Sequence, residues 1–226
     1  MRAPLFTLLL LALATDARSA PAGGTVTGKV VLVGDRKTRT LEDAWVYLEP
    51  EHRARHAARP TPEPRQIRQQ GRKFVPNVLV VPVGTTVAFP NYDREEHNVF
   101  SPTDPPGLPD LGRYNTDHRG KSWTLDDPAE IAVFCDIHPW MFAYVKVVDA
   151  DPALIAQVGK DGRYTVPAVP PGTYTVHAWT YASTESIETI TVGDGATVEV
   201  PELHVQLGPI KAHLRKDGSP YQPYPK

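Results

Sequence analysis

Cys135-Asp136-Ile137-His138-Pro139-Trp140-Met141 places a thiol, an imidazole and a thioether within seven residues. These are the softest ligand types a protein carries. A cysteine thiolate with two imidazoles and a long axial methionine is the ligand set of a blue-copper site. The second imidazole has to come from a neighbouring strand. His97, in Asp93-Arg94-Glu95-Glu96-His97-Asn98-Val99-Phe100, stands at the start of one. Structural zinc sites usually draw on two or more cysteines, and this chain has one. Calcium and magnesium prefer oxygen ligands. Coincidence is a weak account: chance puts the one non-initiator Met and a His this close to a single Cys roughly 0.2% of the time.

The lone cysteine also bears on compartment. Arg2 followed by the apolar run Pro4 to Ala14 reads as a signal peptide over residues 1–22, too short to span a bilayer. Thr15-Asp16-Ala17 and Ala20-Pro21-Ala22 are the candidate cleavage sites. The expected location is therefore periplasmic or secreted. In an oxidising compartment Cys135 is a free thiol, an intermolecular bridge or a metal ligand, because no second Cys exists to pair with it. A net charge of −2 over 226 residues gives no bulk attraction for nucleic acid.

The elements that must position these ligands read as strands. Helical periodicity is nearly absent and 24 prolines argue against a bundle, so the fold class is all-β. Thr25 to Val33, Ala44 to Leu48, Val78 to Val81, Thr86 to Phe89, Lys121 to Leu125, Glu130 to Phe134 and Phe142 to Val148 alternate or run apolar between turn residues. Asn91 to His97 and Cys135 to Met141 then fall at strand ends. Thr103 to Arg119 reads as one long loop. Residues 51–73 carry seven Arg/Lys against two Glu, with three prolines, and read as a basic linker in which Arg53 to Arg59 makes at most a helical turn or two. After Asp149, the turns Asp161-Gly162 and Val169-Pro170-Pro171-Gly172 separate further strands up to Val205. Residues 208–226 are polar and Pro/Tyr-rich and read as a disordered tail.

At this point the chain resembles cupredoxins. Phe74-Val75-Pro76 through Val83-Gly84-Thr85-Thr86-Val87-Ala88-Phe89-Pro90-Asn91, then His97-Asn98-Val99, look like the plastocyanin-type approach to the metal. The Cys-x-x-His-Pro-x-Met loop is similar to that of amicyanin. The resemblance covers residues 74–149 and implies a Greek-key cupredoxin β-sandwich. It also implies one type 1 copper held by His97, Cys135, His138 and Met141. It implies that the Asn98 amide reaches the Cys135 sulfur, and that His138 shows its ring edge at the surface as the electron port. Pro139, Trp140 and Phe142 would surround that port, with Trp140 either a partner contact or a lid.

Gly24 to Leu48, Asp161-Gly162-Arg163-Tyr164 and Pro171-Gly172-Thr173-Tyr174 resemble a second family, the carboxypeptidase regulatory-like, transthyretin-type β-sandwich. That small transthyretin/Ig-like unit would be discontinuous, 23–50 and 150–207, with the cupredoxin inserted. Residues Ala44 to Leu48 fit either unit. Two-module chains of this kind resemble methylamine-utilisation and plastocyanin-like exported proteins.

The function these readings imply is a non-enzymatic carrier of single electrons between redox proteins, such as a c-type cytochrome or a periplasmic dehydrogenase. A copper carrier or sensor, and a non-redox binding module with a vestigial metal site, stay open as alternatives. A thiol enzyme lacks a recognisable oxyanion device or orienting residue. His52, His56, His118, His177, His204 and His213 show no ligand spacing and read as structural or solvated. Asp93, Glu95 and Glu96 read as a solvated acidic loop or as a steering surface for a basic partner.

Overall fold

The computed structural model describes residues 22–52, 64–102 and 109–222. The signal-peptide reading and the Arg53 to Arg59 turn lie outside the described residues. The chain is all-β: the described residues form strands and two short 3-10 turns, Leu41–Asp43 and Pro152–Leu154. None of their helices is long and apolar enough to cross a membrane.

Two cores form. The first is shared by two separated stretches of chain. One of its sheets runs Arg163–Val169, Gly24–Val33, Leu203–Leu207, Ser183–Thr184, with Thr197–Glu199 also on Gly24–Val33. Its other sheet runs Ile155–Gln157, Trp45–Pro50, Gly172–Trp179, Ser186–Val192. The inward faces, including Val26, Val30, Val46, Leu48, Val176, Ala178 and Val205, close into one apolar cluster. Ala44 to Leu48 thus belongs with the later strands: Trp45–Pro50 pairs antiparallel with Gly172–Trp179, Val46 opposite Ala178.

The second core lies between the two stretches. One sheet runs Asp117–Leu125, Thr85–Asn91, Arg68–Gln69, Phe74–Val75, and the other Ala129–Phe134, Phe142–Val148, Val78–Pro82. Val81, Val87, Phe89, Val133, Val145 and Val147 fill it, and Cys135 and Met141 belong to the same cluster. The short ladder His97–Asn98 with Arg113–Tyr114 caps one end.

Three sequence readings need correction here. The basic linker does not extend to residue 73. Arg65–Gln66 and Arg68–Gln69 pair with the Thr85–Asn91 strand, and Ile67 and Gln69 are fully buried. The alternation is masked because one of the two inward positions is itself polar, Gln69, set among exposed Gln66, Arg68 and Gln70. The Thr103 to Arg119 loop is shorter than expected, since Arg113–Tyr114 pairs and the next strand begins at Asp117. A bulge lets that strand bend. Gly120 sits there at φ +71, packed so closely on the Phe89 backbone that no Cβ fits. The tail is ordered through residue 222, held by contacts on the Cys135 loop that are described below.

The cores meet across a third cluster. Val78 and Val80 face outward from the second core. Trp45, Tyr47 and Trp179 face outward from the first, and Tyr181 and Val148 join them. Both faces of the Val78 to Val81 run are therefore buried, which is why it reads as continuous apolar residues rather than alternation. Tyr144 stacks on Tyr181 at 4.6 Å between centroids. Polar groups frame the junction. Glu185 bonds Lys146 at 2.7 Å, His177 at 3.0 Å and Tyr47 at 3.1 Å.

Glu185 gives a pH prediction. Burial alone would raise its carboxyl, but His177 and Lys146 hold it down at about 2. A depressed folded-state pKa gives stability that is present above the unfolded value and lost as pH falls through the folded one. Allowing for solvent screening at a partly exposed site, the contribution is about 1–2 kcal/mol. Glu185→Gln should be less stable than the parent by that amount at pH 7. The gap should close between pH about 4.5 and about 2. Urea unfolding of both proteins across that range checks it, and a gap independent of pH would reject the role.

Candidate metal centre

Strand ends bring the soft ligands together. Ala129–Phe134 delivers Cys135 at its end, and a tight turn leads into Phe142–Val148. Cys135 N donates to Met141 O at 3.3 Å and Met141 N to His138 O at 3.0 Å, so the loop closes on itself. The Phe100–Phe134 bridge aligns the His97–Asn98 ladder with the end of the Cys135 strand. The ring nitrogens of His97 and His138 and the Cys135 sulfur lie within 4.8 Å of one another, all buried. His97 Nδ1 is 3.1 Å from His138 Nδ1, and Cys135 Sγ is 3.7 Å from His138 Nδ1. Met141 is fully buried in the same cluster.

The outward side of each ring faces a carboxylate. His97 Nε2 donates to Asp93 Oδ2 at 2.8 Å, and His138 Nε2 is 3.6 Å from Glu95 Oε2. A carboxylate only accepts, so the bond to Asp93 puts the proton of neutral His97 on Nε2 and leaves the Nδ1 lone pair pointing inward. The sulfur accepts from the amides of Asn98 at 3.5 Å and Ile137 at 3.4 Å. Asn98 joins the two loops a second time, since its Oδ1 accepts from the Asp136 amide at 3.3 Å.

The electrostatics agree with a ligand role. Burial pushes the Cys135 thiol up, yet the His97 ring and the amides of Asn98, Ile137 and His138 bring it net below its ordinary range. Burial opposes charge on His97, but Cys135 and Asp93 raise it overall. His138 is lowered by burial and by the adjacent His97. Two imidazole nitrogens and a sulfur inclined to ionise, packed together out of water, form a pocket that a soft cation would satisfy. The residues fit copper on that ground.

The surroundings differ from expectation in two ways. His138 is only 1% exposed, so its edge does not reach the surface. Trp140 lies against it, centroids 5.3 Å apart, and the Trp140 Nε1 donates to Arg72 O at 3.2 Å. Trp140 itself is 42% exposed, so it covers His138 and also faces solvent. Pro139 and Phe142 flank it and line one groove with Lys37 and Lys211. Asp93 is turned inward, whereas Glu95 pairs at the surface and Glu96 is exposed. Asp93 accepts from the Gly71 and Arg72 amides as well as from His97, and Glu95 pairs with Arg72 at 2.6 Å. Of the other histidines, His177 stacks on Tyr47 and His213 on Phe134.

The sequence reading missed Asp93 as the partner of His97. The signal was present as Asp93-x-x-x-His97, but a turn rather than a helix brings the two together, so spacing alone did not reveal it. Partners that orient a ligand imidazole typically change metal affinity by about 10–100-fold when lost. Asp93→Ala should therefore weaken copper binding by roughly that factor. Competition against a chelator of known affinity measures it. An affinity within about twofold of the parent would show that the ring needs no anchor.

No family model matches the chain, and no curated protein matches it. Solved structures similar to it include a cupredoxin and amicyanins. A purple cupredoxin from Nitrosopumilus maritimus is 28% identical, over 37% of this chain and 99% of its own, with a TM-score of 0.33. Amicyanin from Paracoccus versutus is 20% identical, over 39% of this chain and 84% of its own, with a TM-score of 0.35. A reduced-state amicyanin mutant is 22% identical, over 45% of this chain and 99% of its own, also with a TM-score of 0.35.

Proposed function

We propose that this chain is an exported, non-enzymatic type 1 copper protein that carries single electrons between redox partners. One observation supports the reading above the others. The Nδ1 atoms of His97 and His138 and the Cys135 sulfur converge in a buried pocket, with the His97 tautomer set by Asp93. His97, Cys135 and His138 would hold the ion, and Met141, buried beside Cys135, would supply the weak fourth ligand. Copper supplies a reversible one-electron couple there.

The protein's own part is to keep the site rigid and dry. Asn98 and Ile137 amides hold the sulfur, Asp93 holds His97, and Trp140 excludes water from His138. Because His138 is covered, Trp140 takes over as the surface through which electrons leave. Pro139 and Phe142 widen that apolar patch, and Lys37 and Lys211 favour a partner with an acidic face, such as a c-type cytochrome or a periplasmic dehydrogenase. The unit built from the first core resembles the transthyretin-type sandwich and orients the copper unit.

Adding Cu(II) to the purified mature protein tests the reading. One equivalent should bind with intense visible absorption from the thiolate–copper bond, and a reversible reduction should bleach it. Cu(I) binding without that colour would favour a copper carrier. No binding of either ion would sink the proposal.

A further inference from the structure

The C-terminal segment is pinned at one end to the first core and crosses to the metal centre. At its base Gly208 N donates to Ala182 O at 2.8 Å. The Arg39 guanidinium, nearly buried, donates to the carbonyls of Ala182, Asp35 and Gly208 at 2.8 to 2.9 Å. No carboxylate pairs with this guanidinium among its bonds in the described residues; its charge is spent on backbone oxygens around the point where the segment departs.

Beyond that point the segment lies along the ligand loop. His213 stacks on Phe134, the residue before Cys135, at 3.7 Å and 11° between planes. Its Nε2 bonds Pro139 O at 3.0 Å, and a carbonyl only accepts, so this nitrogen carries the proton. Tyr221 OH donates to Cys135 O at 2.7 Å. The Asp136 carboxylate receives the Lys216 amide at 3.1 Å and the Arg215 guanidinium at 3.3 Å. Lys216 Nζ reaches Asp110 at 2.8 Å, and Asp110 in turn accepts from Asn98 Nδ2 at 2.7 Å. The segment therefore ties down both ligand-bearing stretches, the Cys135 loop directly and the His97–Asn98 strand through Asp110.

The loop's own bonds do not reach these groups. Within the loop, bonds run from Cys135 N to Met141 O, from Met141 N to His138 O and from Ile137 N to the sulfur. The carbonyls of Cys135 and Pro139 take their partners from the C-terminal segment.

We propose that residues 208–222 are a strap through which the first core positions the ligand loop, with His213 and Tyr221 as its positioning residues. The part that concerns copper rests on the function proposed above; the mechanical part does not. The strap holds Cys135 and His138 in the arrangement seen here whether or not an ion is bound. Removing it lets the loop open and changes how firmly an ion is held.

The test uses the full chain carrying His213→Ala and Tyr221→Phe together, with His213→Phe as a variant that keeps the stack and loses the bond. Hydrogen exchange of the apoprotein, read by mass spectrometry, is the first measurement. Peptides covering residues 135–141 should exchange at least about tenfold faster in the double variant, with the strands at 172–192 unchanged. His213→Phe should fall between parent and double variant. The copper form should then show a shifted reduction potential and release Cu(I) to a chelator at least about tenfold faster. Unchanged loop exchange, or acceleration spread evenly over the chain, would overturn the strap. A loosened loop with unchanged potential and release would overturn its positioning role at the metal. If the parent binds no copper while the loop still loosens, the metal reading fails and the mechanical strap stands.

Discussion

Cys135→Ser is expected to abolish the visible absorption of the copper form and to weaken Cu(I) and Cu(II) binding by more than about a hundredfold. Of the groups that converge in the pocket, the sulfur alone bears a full negative charge when ionised, and soft thiolate is what selects copper over harder ions. The site is already arranged to ionise it, since His97 and three amides offset burial and bring its pKa down. Serine keeps a similar shape and can accept from Asn98 and Ile137, yet its hydroxyl does not ionise near neutral pH. Folding should suffer little, about 1 kcal/mol, because no large volume is removed and the amides keep an acceptor. Circular dichroism should therefore match the parent while copper titration fails. A serine variant that keeps the colour would place the metal elsewhere. One that unfolds would show the sulfur to be chiefly a core atom, in line with its place in the apolar cluster.

What the sequence revealed follows from where the information lies. The Cys135 loop is legible because its candidate ligands are close along the chain and their types are rare. His97 was legible because its strand could be recognised. The covering of His138 was not, because it depends on Trp140 meeting Arg72, nearly seventy residues apart along the chain. The inward use of Asp93 was not, because a turn of Asp, Arg and Glu reads as solvated unless its amide partners at Gly71 and Arg72 are known. The ordered C-terminal segment was the least visible. A polar, proline-rich stretch has too little apolar surface to fold alone, and it is held here by groups that another part of the chain presents: Phe134, Asp136 and the Cys135 carbonyl. The Val78 to Val81 run carried a signal that can be read in retrospect. A strand apolar on both faces needs cover on both, and the second cover is the outward face of the Trp45–Pro50 and Gly172–Trp179 sheet.

That shared face bears the largest expected stability effect. Trp179→Ala should cost about 3–5 kcal/mol, the range for removing a buried aromatic side chain and leaving its cavity. Trp179 is completely buried in the cluster between the cores. Its indole nitrogen donates to Glu130 at 3.2 Å, and Lys146 sits 5.6 Å above its ring, so the substitution also strips partners from two side chains of the second core. Tyr144 and Tyr181 remain stacked nearby but do not fill the space. The loss should be localised. Each core has its own apolar cluster, so the cores should stay folded while their docking weakens, and calorimetry should show one transition becoming two. Cys135 and Met141 belong to the second cluster and not to the shared one, so the copper spectrum at low temperature should stay as in the parent. Where the first core melts at the lower transition, the strap loses its anchor at Arg39 and Gly208. Copper should accordingly be lost at the lower transition, before the second core unfolds. A single transition displaced by less than about 1 kcal/mol would mean that Trp179 fills space without coupling the two cores.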